Sequence, residues 1–361
     1  MRTSSSIVGE TVLAGELVAY SMRKLWVRFS PAQLRQTGKE LTGKLSLGDS
    51  AIVPAAALEG SDDSPLGAGS DAGSKPTAFK APVYAAISDF TPDRVDRPKG
   101  HPLDVGSARE SFLIVESLRD QVLRELDESL RNPSVRGVSI DIRMAGEGEA
   151  LDLLRLLARV REKVGGSRKV IASVPGEWFC RKQVGNRMFK SAVAGFAVPD
   201  MLEYVDVVVA RCWRDPALSG ARGVPLTSAD FARDVIAAAV KLVPCWRLAA
   251  GLMCGAAVMV DSPQTDDSSG GYLDAQEVDE LGRRFIVRCR YYPESDSLKA
   301  YLVSRNVRGE LWYEDTRTLP KRLALVNRRN LLGVELFWPD HRGNIIDLCR
   351  RWFLPLQDFA D

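Results

Sequence analysis

Short β-branched runs recur between amphipathic helical stretches from about residue 80 onward, and this alternation constrains the fold more than any other feature of the 361-residue chain. A parallel strand pair needs a long crossover, and a helix between two strands supplies one. Strands are expected at 82–90, 135–143, 169–175, 205–213, 246–253 and 332–338. Between the first two, Leu118, Val122, Leu126 and Leu130 stand four apart, the spacing of one helix face. Residues 149–164 form a second, leucine-rich helix. Ser228 is placed to cap a helix over 229–242 that ends before Pro244, and Thr318 to cap another with Pro320 in its first turn. One stretch breaks the alternation. The runs 285–292, 297–303 and 309–315 are separated by short turns, the mark of antiparallel strands, so a small insertion at about 274–315 is expected before the last strand.

The N-terminal part divides in two. Residues 59–78 hold little but Gly, Ser, Asp, Pro and Ala and read as a flexible linker, since such a composition buries too little surface to order itself. Residues 1–58 carry strand-like stretches at 16–30 and 50–57, which either complete a barrel begun by the regular part, 79–361, or trail from it. With 49 basic and 47 acidic residues the net charge is +2, so no broad positive field favours nucleic acid. No run of about 18 apolar residues is present, so no membrane span is expected, and the first residues show no leader, which reads as cytoplasmic. Six cysteines lie in apolar runs with no C-x-x-C pair, and only His101 and His341 accompany them, so buried free thiols and no metal site are expected. No phosphate-cradling loop or hydrolase elbow stands in the right context, and no cofactor is expected: the Gly67–Ala72 glycine run follows no strand and opens no helix.

The most informative segment is Arg136-Gly137-Val138-Ser139-Ile140-Asp141-Ile142-Arg143. Alternate residues of a strand share a face, so Gly137, Ser139, Asp141 and Arg143 point one way while Val138, Ile140 and Ile142 point to covering helices. In a barrel the small and charged stripe faces inward and ends at the C-terminal rim, where active sites of that fold lie.

These residues resemble the fourth strand of glycoside hydrolase family 18, the chitinase-like barrels that include spore-cortex and cell-wall lytic proteins. The likeness extends over about 80–355, through the strand ending in ASVP, VDVVVARCW, WRLAAGLMCG and WYEDTRTLPKRLAL followed by LLGVELFW, with Trp312, Glu314, Asp315, Lys321, Gly333 and Trp338 matching the family's late pattern. It implies a TIM-barrel-like (β/α)8 fold of the α/β class and a carbohydrate partner, with Trp338 as the floor beneath a sugar ring; because residues 1–78 lack clear βα units, the barrel is expected to be irregular in its first strands. It also implies a cell-envelope or secreted location. The family's motif is Asp-Gly-x-Asp-x-Asp-x-Glu, whose glutamate protonates the glycosidic oxygen and whose last aspartate orients the substrate's acetamido group. Here Arg136 and Ser139 replace its first two aspartates, Asp141 keeps the third, and Arg143 stands at the catalytic glutamate. The strand-six Met-x-Tyr-Asp falls on Arg211-x-Trp213-Arg214.

An arginine stays protonated at any working pH and cannot serve as a general acid. The resemblance therefore implies a catalytically impaired barrel that binds an N-acetylated, peptidoglycan- or chitin-like glycan, with Asp141, Arg143, Arg211, Trp213 and Trp338 lining its pocket. Arg143 either pairs with Asp141 in the interior or joins Arg211 in holding a carboxylate of the glycan. Asp141, Glu177 and Asp340 are the candidate catalytic carboxylates for the alternative, an active glycosidase or transglycosylase with a relocated acid. Glu147, Glu149 and Asp215 are further rim acids, and Trp178 a further rim tryptophan. A scaffold without glycan binding is the third reading.

Overall fold

A computed structural model describes residues 23–28, 49–54, 83–88, 116–141, 149–179, 181–184, 187–190, 198–215, 225–261, 268–284, 288–303, 308–339 and 344–353. The 59–78 linker lies outside the described residues, as do Cys180, His101, His341, Arg143, Glu147 and Asp340.

Along the chain, strands β1 (Lys24–Arg28), β2 (Asp49–Pro54) and β3 (Val83–Ser88) precede helix α1 (Glu116–Leu130). Then come β4 (Val135–Asp141), α2 (Glu149–Val164), β5 (Lys169–Val174), a 3-10 turn at Gly176–Trp178 and a hairpin of β6 (Arg181–Val184) and β7 (Arg187–Lys190). Strand β8 (Val207–Arg211), α3 (Ala229–Ala239) and β9 (Leu248–Met253) follow. The insertion comprises β10 (Ala256–Asp261), β11 (Ser268–Leu273), α4 (Ala275–Arg284), β12 (Arg288–Tyr292), β13 (Ser297–Val303) and β14 (Arg308–Tyr313). Helix α5 (Leu319–Arg328), β15 (Gly333–Phe337) and α6 (Asn344–Phe353) complete the chain.

Eight parallel strands close in the order β1-β15-β9-β8-β5-β4-β3-β2. This is a (β/α)8 TIM-barrel fold, and β1 and β2 from the N-terminal part are two of its staves. Helix and strand faces explain the closure. Leu126 of α1, Leu153 and Leu157 of α2, Val235 of α3, Leu323 of α5 and Ile346 of α6 pack with outward strand residues such as Val138 and Ile140 in one continuous core. Strands covered by helices on one face and by each other's side chains on the other are buried on both, which is why they read as nearly unbroken apolar runs.

The antiparallel sheet has five strands, ordered β11-β10-β14-β13-β12. It takes in β10 and β11, ahead of the 274–315 span read from the sequence. Strand β10 is an apolar run that continues the apolar β9 with only Cys254 and Gly255 between, and β11, Ser268–Leu273, is rich in serine and glycine. The chain turns at Gly255, where a Cβ would lie 2.2 Å from the Leu273 carbonyl oxygen, so only glycine allows the approach of β11.

Two local expectations divide. Ser228 caps α3, its hydroxyl accepting the Phe231 N–H at 3.1 Å. Ser228→Ala is expected to lower stability by about 1 kcal/mol, to be read from urea unfolding midpoints. Thr318 does not cap α5 with its side chain: its backbone is already helical, and its hydroxyl accepts the Asp315 N–H at 3.1 Å instead. The cysteines also divide. Cys212, Cys254 and Cys349 are buried thiols outside any disulfide, but Cys245 is half-buried and Cys289 exposed, the latter because β12 is an outer strand of the insertion sheet.

Candidate functional site

The C-terminal ends of the barrel strands bring four ionisable side chains into the closed interior: Arg28 at the end of β1, Asp141 at the end of β4, Arg211 at the end of β8 and Glu335 in β15. All are 0–3% exposed. Arg28 is the hub. Its Nε donates to Glu335 Oε1 at 2.6 Å, its Nη2 donates to Ser139 Oγ at 2.7 Å, and its Nη1 lies 3.6 Å from Asp141 Oδ2. Arg211 Nη1 approaches the other Asp141 oxygen, also at 3.6 Å. The Arg28 guanidinium stands over the Phe337 ring at 4.9 Å, where a cation meets the negative face of the π system.

Register explains how residues from distant strands meet. Ser139 and Asp141 share the inward face of β4, and Gly251 of β9 lies in register with both Arg211 and Glu335. With no side chain at Gly251, the arginine and the glutamate face one another across β9. Burial pushes the Glu335 carboxyl up to about 7, with Asp141 adding to the rise and Arg28 and Arg211 opposing it. Among the described residues the cluster therefore sets two arginines against one aspartate and a glutamate that titrates near neutrality.

Glu177 stands in the 3-10 turn after β5. Its Oε1 accepts the Asp215 N–H at 2.6 Å, while its Oε2 is buried without a hydrogen bond among the described residues. Burial raises it to about 7, the Asp215 charge contributes further, and the Asp215 N–H and Arg211 pull it back. A carboxyl that keeps its proton to near neutral pH has the property of a general acid. The turn is tightly fixed, since a Cβ on Gly176 would lie 2.2 Å from the Arg211 carbonyl oxygen. Gly176→Ala is expected to cost about 1–3 kcal/mol in urea unfolding, the range for overpacking, because backbone rather than a side-chain tip must yield.

The tryptophans are covered. Trp213 and Trp338 are each 1% exposed, and Tyr272 of β11 lies against both. Its hydroxyl is 3.3 Å from Trp213 Nε1, and its ring is 5.7 Å from the Trp338 ring, which also meets Phe337 edge-on at 5.8 Å. Met259 of β10 and Trp312 of β14 join the same cluster, so the insertion sheet forms a roof over the barrel mouth. Trp338 holds φ 55°, in the left-handed region that costs a bulky residue energy, and its N–H donates to the Arg28 carbonyl at 3.0 Å. Trp178 is buried in the core between barrel and helices.

Of the residues singled out from the sequence, the structure brings Asp141 and Arg211 together and sets Glu177 within electrostatic reach of Arg211. Among the described residues the cations beside Asp141 are Arg28 and Arg211. The sequence reading missed Arg28 and Glu335. Their signal was available: Arg28 ends the otherwise apolar Leu25-Trp26-Val27, and Glu335 interrupts Val334-Glu335-Leu336. A second ion cluster anchors the insertion to the barrel helices. There, Arg322 of α5 contacts Glu314 Oε1 at 2.5 Å and Asp296 Oδ2 at 2.8 Å, and Lys321 reaches the other Asp296 oxygen at 2.9 Å. No group of three or more His, Cys, Asp or Glu suited to a metal occurs among the described residues. Nor is any described helix long and apolar enough to cross a membrane.

No protein-family model and no curated protein matches the sequence. Solved structures do match the fold. A chitinase from Chromobacterium violaceum ATCC 12472 is 16% identical, with a TM-score of 0.57 over 92% of this chain and 99% of that one. The spore cortex-lytic enzyme SleL of Bacillus megaterium QM B1551 is 13% identical, with a TM-score of 0.54 over 91% and 73%. A class V chitinase from Nicotiana tobaccum in complex with NAG4 is 11% identical, with a TM-score of 0.55 over 92% and 98%. At such identities the likeness is one of fold, the eight-stranded barrel with its added antiparallel sheet.

Proposed function

We propose that this chain is a glycosidase-like barrel that binds an N-acetylated glycan without hydrolysing it by the acid of glycoside hydrolase family 18. The observation that carries the reading is the Asp141 carboxylate held between Arg28 and Arg211, at 3.6 Å from each, at the end of the strand where that family's acid would stand. Arg143, two residues beyond Asp141, takes the acid's position in the motif and cannot donate a proton to a leaving oxygen. The similarity in fold to chitinases, one of them solved with NAG4, supports the choice of an N-acetylated sugar. An acidic glycan, such as a polymer with lactyl carboxylates, suits the arginines that the motif positions assign to this end of the barrel, Arg143 and Arg211, because guanidinium binds carboxylate in a bidentate fork.

The test incubates purified protein with insoluble peptidoglycan and with chitin, and measures both the protein retained in the pellet and the sugar fragments released. Retention without release is expected. Arg143→Ala is expected to weaken retention on peptidoglycan about 10-fold, the worth of one charged hydrogen-bonded contact, and to change retention on chitin little. Fragment release that disappears in Glu177→Gln would replace this reading with catalysis from a relocated acid, the role that a buried carboxyl titrating near 7 could fill. Absence of both retention and release would leave a scaffold, the reading favoured by the 1% exposure of Trp213 and Trp338.

A further inference from the structure

The opposite mouth of the barrel holds a cavity of 640 Å³. Its lining comes from where the strands begin: Lys24 opens β1, Lys169 opens β5, Val207 opens β8, and Leu332 immediately precedes β15. The cluster of Arg28, Asp141 and Arg211 stands at the other ends of these strands, so the two mouths are separate. We propose that this N-terminal mouth binds a small aromatic carboxylate.

The sequence explains why the barrel is hollow here. Inward positions at this end of a barrel are ordinarily filled by bulky branched side chains. In this chain the inward residues at the start of β4 and β15 are Gly137 and Gly333, and those opening β1 and β5 are Lys24 and Lys169. A Cβ on Gly137 would lie 2.1 Å from the Lys169 carbonyl oxygen and 2.9 Å from the Tyr84 ring, so nothing larger fits. Both lysines are exposed, Lys169 by 61%, and their heads stand in water rather than filling the barrel. The resulting volume falls within the roughly 300–1,000 Å³ usual for small-molecule sites.

The inner wall is apolar. Ile171, Val207 and Leu332 line it with the rings of Trp26 and Tyr84, and at the rim Trp246 is 69% exposed, an unusual state for so large an apolar ring. The Tyr84 hydroxyl, which accepts the Trp26 indole N–H, is kept protonated by burial and by the nearby Asp206 charge, so it retains a proton to donate. An inner wall with one hydroxyl suits a flat apolar ring better than a sugar, whose hydroxyls would be left unpaired against that wall.

The rim sets the charge. Among the described lining residues the cations Lys24, Lys169, Arg161 and Arg247 outnumber the acids Glu203 and Asp206. The two arginines are committed to the frame. Arg161 holds Asp206 Oδ2 at 2.5 Å and the Tyr204 carbonyl at 2.8 Å, and Arg247 holds the Leu202 carbonyl at 2.7 Å and that of Val205. Asp206 in turn accepts the Val170 N–H at 2.8 Å. Lys169 touches Asp206 only at 3.4 Å, so Lys169 and Lys24 are the cations with reach to turn toward a carboxylate at the mouth.

The full chain would be titrated with benzoate, indole-3-acetate and naphthalene-2-carboxylate, and with indole-3-acetamide as the uncharged control, by calorimetry and by saturation-transfer NMR. Saturable one-to-one binding of at least one acid is expected, with the amide at least 10-fold weaker. Replacing both exposed lysines, Lys24→Gln with Lys169→Gln, should weaken the acid 10-fold or more and leave the amide unchanged. Val207→Phe, which fills the cavity, should abolish both while thermal unfolding confirms a folded protein. Should none of the acids bind, should acid and amide bind equally, or should the lysine variant bind the acid as the parent does, the proposal is overturned.

Discussion

Arg28→Met is expected to lower stability by about 3–5 kcal/mol, the cost of leaving a buried charge without its partner. The guanidinium contacts Glu335, Ser139 and Asp141 at once in a site closed to water, so its removal strands Asp141 and Glu335 rather than exposing them to solvent. Glu335 can take up a proton and become neutral. Asp141 is left with Arg211, among the described residues, as the cation beside it. The double variant Arg28→Met with Glu335→Leu should recover a large part of the loss, since replacing both members of a buried ion pair by apolar groups of similar volume is often close to neutral. Urea unfolding of the parent, both single variants and the double variant gives the coupling directly. If Arg28→Met unfolds within about 0.5 kcal/mol of the parent, the network does not hold the barrel interior together.

Stability should fall as pH rises from about 4.5 to about 7, the reverse of the usual acid-side behaviour. Glutamates of the unfolded chain lose their protons around 4.5, whereas folded Glu335 and Glu314 keep theirs to about 7 because burial penalises the charged form. In that window the native state binds more protons than the unfolded one, so the stabilisation present below 4.5 is lost as pH rises and the curve flattens above 7. One such group contributes about 1.4 kcal/mol per pH unit, or on the order of 3 kcal/mol across the window. Glu177 acts in the same direction. Asp206 and Asp296 act in the opposite one: both are held below the usual carboxylate range by hydrogen bonds and by the arginine and lysine charges beside them. Their contribution is present above 3.8 and is lost as pH falls through their folded values. The maximum should therefore lie between the two windows. Unfolding free energies at pH 4.5, 6 and 8 would show it, and Glu335→Gln should flatten the slope by about 1 kcal/mol per pH unit. A profile that rises from 4.5 to 7 would mean that Glu335 is ionised in the native barrel.

How much of the site could be read from the residues depended on whether its partners lie on one strand. Ser139 and Asp141 could be placed on the inward face of β4 by period-two alternation, and both do face the interior, where Arg28 meets them. Arg28 could not be assigned, because its function depends on β1 lying between β15 and β2 in the closed sheet, and no local pattern states which strands become neighbours. Glu335 stands out as a charge in an apolar strand, but its partners were hidden for the same reason. The insertion shows another limit. Strands β12, β13 and β14 carry strong strand patterns with turns between them, but β10 merges into the apolar run of β9, and only the close approach at Gly255 separates the two.

The sequence by itself determined the alternation of strand and helix, the inward stripe of β4 and the cap at Ser228, because each depends on residue type and on periods of two or 3.6. Only the tertiary structure decided that β1 and β2 close the barrel, that Asp141 lies between Arg28 and Arg211, that Tyr272 roofs the tryptophans and that the far mouth is hollow. Those are contacts between segments far apart in the chain. They are set by which surfaces can be buried together at once, and no single stretch of residues carries that information.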